Sequence, residues 1–204
     1  RDAQESRGLG DVYKRQKQDK LEEAYEILSE TTVLPAICGR ICPHYKQCMG
    51  KCVRGIKGQP VNIGDIEKYI GDMSIKNNYK LPNCEQERNE KIAIIGSGPA
   101  GLTCAAFLRR NGFKVTIYEK YSQLGGILRN GIPNFRLDKS ILDNTIQKIL
   151  DLGIETKCGM ELGKNLGLNE LQKEYNAIFL AIGANITKKM EIKGEELTLS
   201  LIHI

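Results

Sequence analysis

Residues 91–119, KIAIIGSGPAGLTCAAFLRRNGFKVTIYE, decide the fold. Lys91 to Ile95 is a short apolar run of the kind that forms a buried parallel strand. Gly96-Ser97-Gly98-Pro99-Ala100-Gly101 follows with G-x-G-x-x-G spacing and opens a helix to about Asn111. Gly112 stops that helix, and Lys114 to Glu119 reads as a second strand. Gly96 suits the tight turn, Gly98 lets the backbone approach a pyrophosphate at the helix N-terminus, and Gly101 lets the helix lie against the first strand. Glu119 closes the unit 18 residues past Gly101, where a carboxylate can accept hydrogen bonds from an adenosine ribose. This βαβ unit is expected to hold a dinucleotide, and its acid disfavours a 2′-phosphate.

Downstream stand Leu124-Gly125-Gly126, Arg129, Gly131-Ile132-Pro133 and Phe135-Arg136-Leu137. The glycine pair can admit a second close backbone approach to an extended cofactor, which favours FAD over NAD; the bland alternative is a plain surface turn. Asp138 can cap a helix whose apolar face is Ile141, Leu142, Thr145, Ile146, Ile149 and Leu150, ended by Gly153. Ala177 to Ile182 is a further buried-strand candidate, followed at once by Gly183.

Upstream, Leu21, Ala24, Tyr25 and Leu28 recur at helical spacing and predict an amphipathic helix over 17–29. Pro35 leads into a cysteine-rich stretch. A Gly/Pro turn and a second helix over 63–75 follow, and polar residues 77–89 read as an interdomain linker. Cys38, Cys42, Cys48 and Cys52 lie within fifteen residues, with Pro43 beside Cys42. Thiolates so spaced suit an iron–sulfur cluster. A structural zinc, which favours tighter C-x2-C pairs, ranks second, and disulfides third. Cys84, Cys104 and Cys158 are isolated, Cys104 reading as a small buried hydrophobe. His44 reads as a solvated loop residue.

The chain has 204 residues and a net charge of +5, which the sequence reading takes as scattered, so nucleic acid is not an expected partner. No run approaches the roughly 18 apolar residues of a membrane span, and no apolar leader follows the charged N-terminus. Seven cysteines without an export signal point to a reducing cytoplasm. Residues 1–16 and 198–204 lack a coherent period and resemble translated adapter sequence, so they are set aside as non-native ends of a fragment.

Taken together, LPAICGRICP from Leu34, PVNIGDIE from Pro60, IIGSGPAGL, then YEK, LGGIL and GIPNFRL resemble the small (β) subunit of NADPH-dependent glutamate synthase. That group is related to the flavin half of dihydropyrimidine dehydrogenase and to NADH-dependent ferredoxin:NADP oxidoreductase. The resemblance implies an α/β Rossmann-like FAD-binding domain over 91–197, incomplete, preceded by an incomplete small α-helical iron–sulfur domain over 17–80, with a linker over 81–90. It implies two [4Fe-4S] clusters, Cys42 and Cys48 ligating one and Cys52 the other, with Glu67 as a non-cysteine ligand and Cys38 a less secure one. It places FAD contacts at Gly96, Gly98, Pro99, Ala100, Gly101, Leu102, Glu119, Lys120, Gly125, Gly126, Ile127, Arg136, Leu162 through its backbone, and Gly183. NADPH would bind a further domain beyond residue 204.

Two departures stand out. The family's upstream cysteine motif has no counterpart, and Asn130 replaces a frequent aromatic. The implied activity is transfer of hydride from NAD(P)H to FAD and of electrons through the clusters to a large catalytic subunit or another acceptor, in glutamate synthesis first. No side chain need act as acid or base, and the fragment alone is expected to be inactive. A related electron-input subunit serving ferredoxin, a sulfur compound or a pyrimidine is the alternative, and a zinc-stabilised, non-enzymatic nucleotide-binding module is the third reading.

Overall fold

The computed structural model describes residues 9–84 and 86–184. The upstream part consists of α1 (Leu9–Lys17), α2 (Leu21–Ser29), α3 (Pro35–Ile41), three 3-10 turns (His44–Lys46, Met49–Lys51, Val53–Ile56) and α4 (Ile63–Lys76). The downstream part runs β1 (Lys91–Ile95), α5 (Pro99–Arg110), β2 (Lys114–Glu119), α6 (Ile127–Asn130), α7 (Lys139–Leu150), β3 (Glu155–Cys158), α8 (Leu168–Glu174) and β4 (Ala177–Leu180). The sheet order is β3-β2-β1-β4, and every pair is parallel. This is the α/β architecture expected of the glycine-loop unit, with the helical region before it.

Alternation along β1 explains the layers. Ile94 faces the helices of the larger core, while Ala93 and Ile95 face a smaller cluster with Tyr118, Leu166, Leu171 and Tyr175. The larger core is continuous between the two regions, joining Tyr25, Leu28, Ile37 and Ile70 to Leu102, Ile117, Leu142 and Ile149. Polar contacts reinforce the junction. Arg110 donates to the Ser29 carbonyl at 2.5 Å, Lys148 to the Tyr79 carbonyl, and Lys80 pairs with Asp151 at 3.1 Å. Asp138 caps α7 as its position implied, accepting from the Ser140 amide at 2.8 Å.

Several elements depart from the sequence reading. The helix anticipated over 17–29 begins at Leu21, because the chain turns through Asp19 at φ 59°. From residue 9, the stretch set aside as foreign is helical, and Val12 is only 1% exposed in the shared core. Residues 1–8 and 185–204, including the whole of the closing stretch over 198–204, lie outside the described residues. The polar linker is anchored rather than loose: Leu81 is buried, Arg88 donates to the Gly112 carbonyl, and Glu87 pairs with Arg109. The buried strand expected at Ala177–Ile182 forms over Ala177–Leu180, but among the described residues it stands at the end of the sheet, leaving Leu180 54% exposed. β3 went unseen because all four of its residues are exposed and carry no apolar pattern.

Candidate functional site

Because the strands are parallel, their carboxyl ends share one edge of the sheet, where open α/β folds bind ligands. Gly96, Glu119 and Cys158 end or follow β1, β2 and β3 there, and Gly183 lies just past β4. Pro99 occupies the first turn of α5, where its missing N–H costs nothing, with Gly98 as the N-cap. Gly101 is required by packing, since a Cβ there would overlap the Gly96 carbonyl oxygen. Ala100 is exposed on the first turn of α5, whereas Leu102 is buried in the core.

The glycine pair closes onto this loop. Gly126 has φ 51° and ψ −129°, and a Cβ on it would lie 2.8 Å from Gly98 Cα. Two turns 28 residues apart are therefore in backbone contact, while Gly98 itself faces open space. Ser97 joins them. Its hydroxyl, completely buried, donates to Glu119 Oε2 and accepts from the Gly125 amide at 3.0 Å.

Glu119 differs from the simple picture of a free ribose acceptor. It is 4% exposed; Oε2 also accepts from the Ser97 amide at 2.9 Å, and Oε1 from the Tyr121 amide at 3.0 Å. A carboxylate has about four lone-pair sites, so three bonds leave room for about one more. The cradle fits a dinucleotide: an open approach at Gly98, a helix N-terminus and one remaining acceptor position on the acid.

Further predicted contacts lie around this edge. Ile127 is exposed, and Lys120 is exposed with its ammonium 4.8 Å from the Tyr121 ring centre. Leu162 is half-buried in a short bridge to Leu166. Arg136 donates to the Ile41 carbonyl at 3.4 Å, bringing the downstream loop to the cysteine stretch.

In that stretch Cys38 is half-buried, and burial, followed by the neighbouring Cys42 and Glu67, pushes its thiol up to about 12. Burial raises the Glu67 carboxyl, opposed by nearby His44. Cys52 moves the other way because the Val61 amide, 3.4 Å from its sulfur, favours the thiolate. Cys48 is exposed, with His44 Nδ1 3.3 Å from its sulfur. His44 is not the solvated residue expected: its ring lies against Gly64, with Nε2 3.0 Å from the Cys38 carbonyl oxygen. Spacing alone could not reveal that, since Gly64 lies twenty residues away on α4.

Among the described residues no three Cys, His, Asp or Glu side chains of this set converge on a single point. Its donor chemistry, four thiols with a raised carboxyl beside Cys38, fits iron–sulfur ligation. Cys104 is half-buried on α5 and packs against the core, its thiol raised by burial, consistent with a hydrophobe's role.

Comparison with known proteins bears on both halves. Residues 11–79 match the family described as dihydropyrimidine dehydrogenase domain II, 4Fe-4S cluster, and residues 94–142 match an NAD(P)-binding Rossmann-like domain. The first match begins within α1. The Escherichia coli glutamate synthase [NADPH] small chain is 35% identical over 179 residues, covering 87% of this chain and 38% of that protein. The PreT subunit of NAD-dependent dihydropyrimidine dehydrogenase from Salmonella typhimurium is 39% identical over 160 residues, covering 78% and 39%. The chain thus spans about two fifths of these relatives' length. Among solved structures, a 2-naphthoyl-CoA reductase complex aligns over 80% of this chain and 22% of that one, at TM-score 0.51 and 20% identity, a likeness of fold.

Proposed function

Because the chain belongs to the family of glutamate synthase small chains and PreT dihydropyrimidine dehydrogenase subunits, we propose that it is the electron-input portion of an iron–sulfur flavoprotein oxidoreductase. In this reading the complete protein takes reducing equivalents from NAD(P)H and passes electrons to a partner chain. The observation that carries it is the contact of Gly126 with Gly98, which joins two glycine turns into one extended cradle. A nucleotide held by the first loop alone would not need the second.

The residues divide the work. The amides opening α5 would receive the pyrophosphate, Glu119 would offer its remaining acceptor position to the ribose, and Arg136, which donates to the Ile41 carbonyl, would link the flavin side to the cysteine stretch. Cys42, Cys48, Cys52 and Glu67, with Cys38, would supply ligands to iron–sulfur clusters. Bound there, a flavin exchanges a hydride for single electrons and iron–sulfur centres carry them one at a time. No side chain is asked to move a proton. The protein's task is to position and insulate.

Glutamate synthesis is the first reading of the acceptor. A pyrimidine-linked acceptor is the second, supported by the 39% identity of the Salmonella typhimurium PreT subunit over 160 residues, beside 35% over 179 for the Escherichia coli glutamate synthase small chain. Titration of the chain with FAD, followed by quenching of flavin fluorescence and co-elution on gel filtration, tests the proposal. Stoichiometric flavin is expected. Stoichiometric zinc with no flavin uptake would replace it with the metal-stabilised, non-enzymatic module.

A further inference from the structure

The positive charge of this chain is concentrated beside its cysteines. Residues 31–64 contain five basic residues and no acid, while the whole chain carries a surplus of +5, so the remainder is balanced. This corrects the reading of that surplus as scattered. Arg40 is committed to Asp72 through two bonds, at 2.8 and 2.9 Å. Lys46, Lys51, Arg54 and Lys57 are exposed, and among the described residues none forms an ion pair.

All four lie on the 3-10 turns or directly after them. The same turns carry Tyr45 at 68% exposure and Val53 and Ile56 at 78%. Val53, Arg54, Ile56 and Lys57 also line a groove of about 430 Å³. Large aliphatic side chains held in water on turns that also carry uncompensated cations mark a recognition surface rather than a solvated face. Cys48 and Cys52 flank these same turns.

We infer that the turns over residues 44–57, which carry Lys46 and Lys51 and, along one groove, Arg54 and Lys57 with Val53 and Ile56, are a docking face for an acidic electron-acceptor protein. Only the partner's role as acceptor rests on the function proposed above. Docking itself follows from charge complementarity and the exposed aliphatic centre. Uncompensated cations steer an acidic surface into place, and the aliphatic residues supply desolvated contact. Nucleic acid fits less well, because Val53 and Ile56 offer no stacking face and the Lys46 ammonium lies 5.7 Å from the Tyr45 ring centre. A lipid surface fits less well too, because the aliphatics sit on short turns rather than along an amphipathic helix.

The probe is an acidic plant-type [2Fe-2S] ferredoxin, immobilised for surface plasmon resonance against the whole chain over a range of salt concentrations. Saturable binding that weakens with salt is expected, and K46E/K51E/R54E/K57E should weaken it by about tenfold or more. The neutral V53S/I56S variant should weaken it while keeping the salt slope, and K164E/K173E, on the far domain, should leave it unchanged. All substituted side chains are exposed, and far-ultraviolet circular dichroism verifies folding. Absence of saturable binding overturns the inference, as does unaltered affinity in the fourfold variant. So does tighter binding of a short single-stranded oligonucleotide, or of phosphatidylserine vesicles, at the same salt. FAD titration of the same samples separates the two ideas. Flavin uptake without docking sinks the docking face alone, and docking without flavin uptake sinks the flavoprotein reading alone.

Discussion

Two glycines of the cradle face opposite surroundings, and replacing each by alanine separates a ligand site from a structural contact. At Gly126 the backbone has φ 51° and ψ −129°, a region that costs an alanine about 1–3 kcal/mol. The added Cβ would also lie 2.8 Å from Gly98 Cα and 3.1 Å from its nitrogen, both backbone atoms that cannot swing aside. Overpacking of this kind costs a further amount of about 1–3 kcal/mol. Gly126→Ala should therefore lose about 2–6 kcal/mol of stability. Gly98 has φ −69° and ψ −176°, which alanine adopts freely, and a Cβ there meets nothing within 4 Å. Gly98→Ala should cost less than about 1 kcal/mol, through its poorer helix cap. Its methyl would nevertheless fill the space through which a pyrophosphate approaches. Crowding of about 1–3 kcal/mol in the complex weakens FAD binding by about 5- to 150-fold. Urea unfolding followed by far-ultraviolet circular dichroism gives the stabilities, the chain having no tryptophan, and flavin fluorescence gives the affinities. A folded Gly98→Ala variant that binds FAD as tightly as the parent would refute the placement of the ligand. A Gly126→Ala variant of parental stability would refute the contact.

Three other outcomes are expected. Ser97→Ala should destabilise the chain by about 1–3 kcal/mol, because the buried Gly125 amide and Glu119 each lose a partner; a urea midpoint unchanged from the parent would show that the link is idle. Burial first, then Lys80, holds the Lys148 ammonium below its usual 10.5. The unfolded chain therefore keeps this proton over a window below pH 10.5, and parental stability should rise with pH across it. Lys148→Met should remove that rise, and equal slopes of urea midpoint against pH would contradict the assignment. With Cys38 pushed up to about 12 and Cys52 drawn down, iodoacetamide at mildly alkaline pH should label Cys52 well before Cys38, as read by peptide mass spectrometry. The reverse order would show that Cys38 is not shielded.

The glycine loop and its flanking strands were legible because every decision there is local. Apolar runs, glycine spacing and a terminal acid act through near neighbours, and β1, α5 and β2 fall where the pattern placed them. The α7 cap at Asp138 was legible for the same reason. What escaped has a common cause. β3 is exposed throughout and adds its backbone to β2 without an apolar signal, while β4 is apolar but stands last in the sheet among the described residues. The basic surface was in plain view along residues 31–64, but a net charge averages over the chain and conceals a segment balanced elsewhere.

The sequence by itself determined that a dinucleotide loop follows a cysteine-bearing helical region, since steric demands on glycine and the ligand chemistry of thiols belong to the residues themselves. Only the tertiary structure decided that Gly126 rests on Gly98, that Ser97 ties Glu119 to Gly125, and that His44 packs beneath α4. Those contacts join residues 20 to 28 positions apart. They exist because burying one continuous core brings distant turns together, a result of the summed packing of many side chains that no local pattern records.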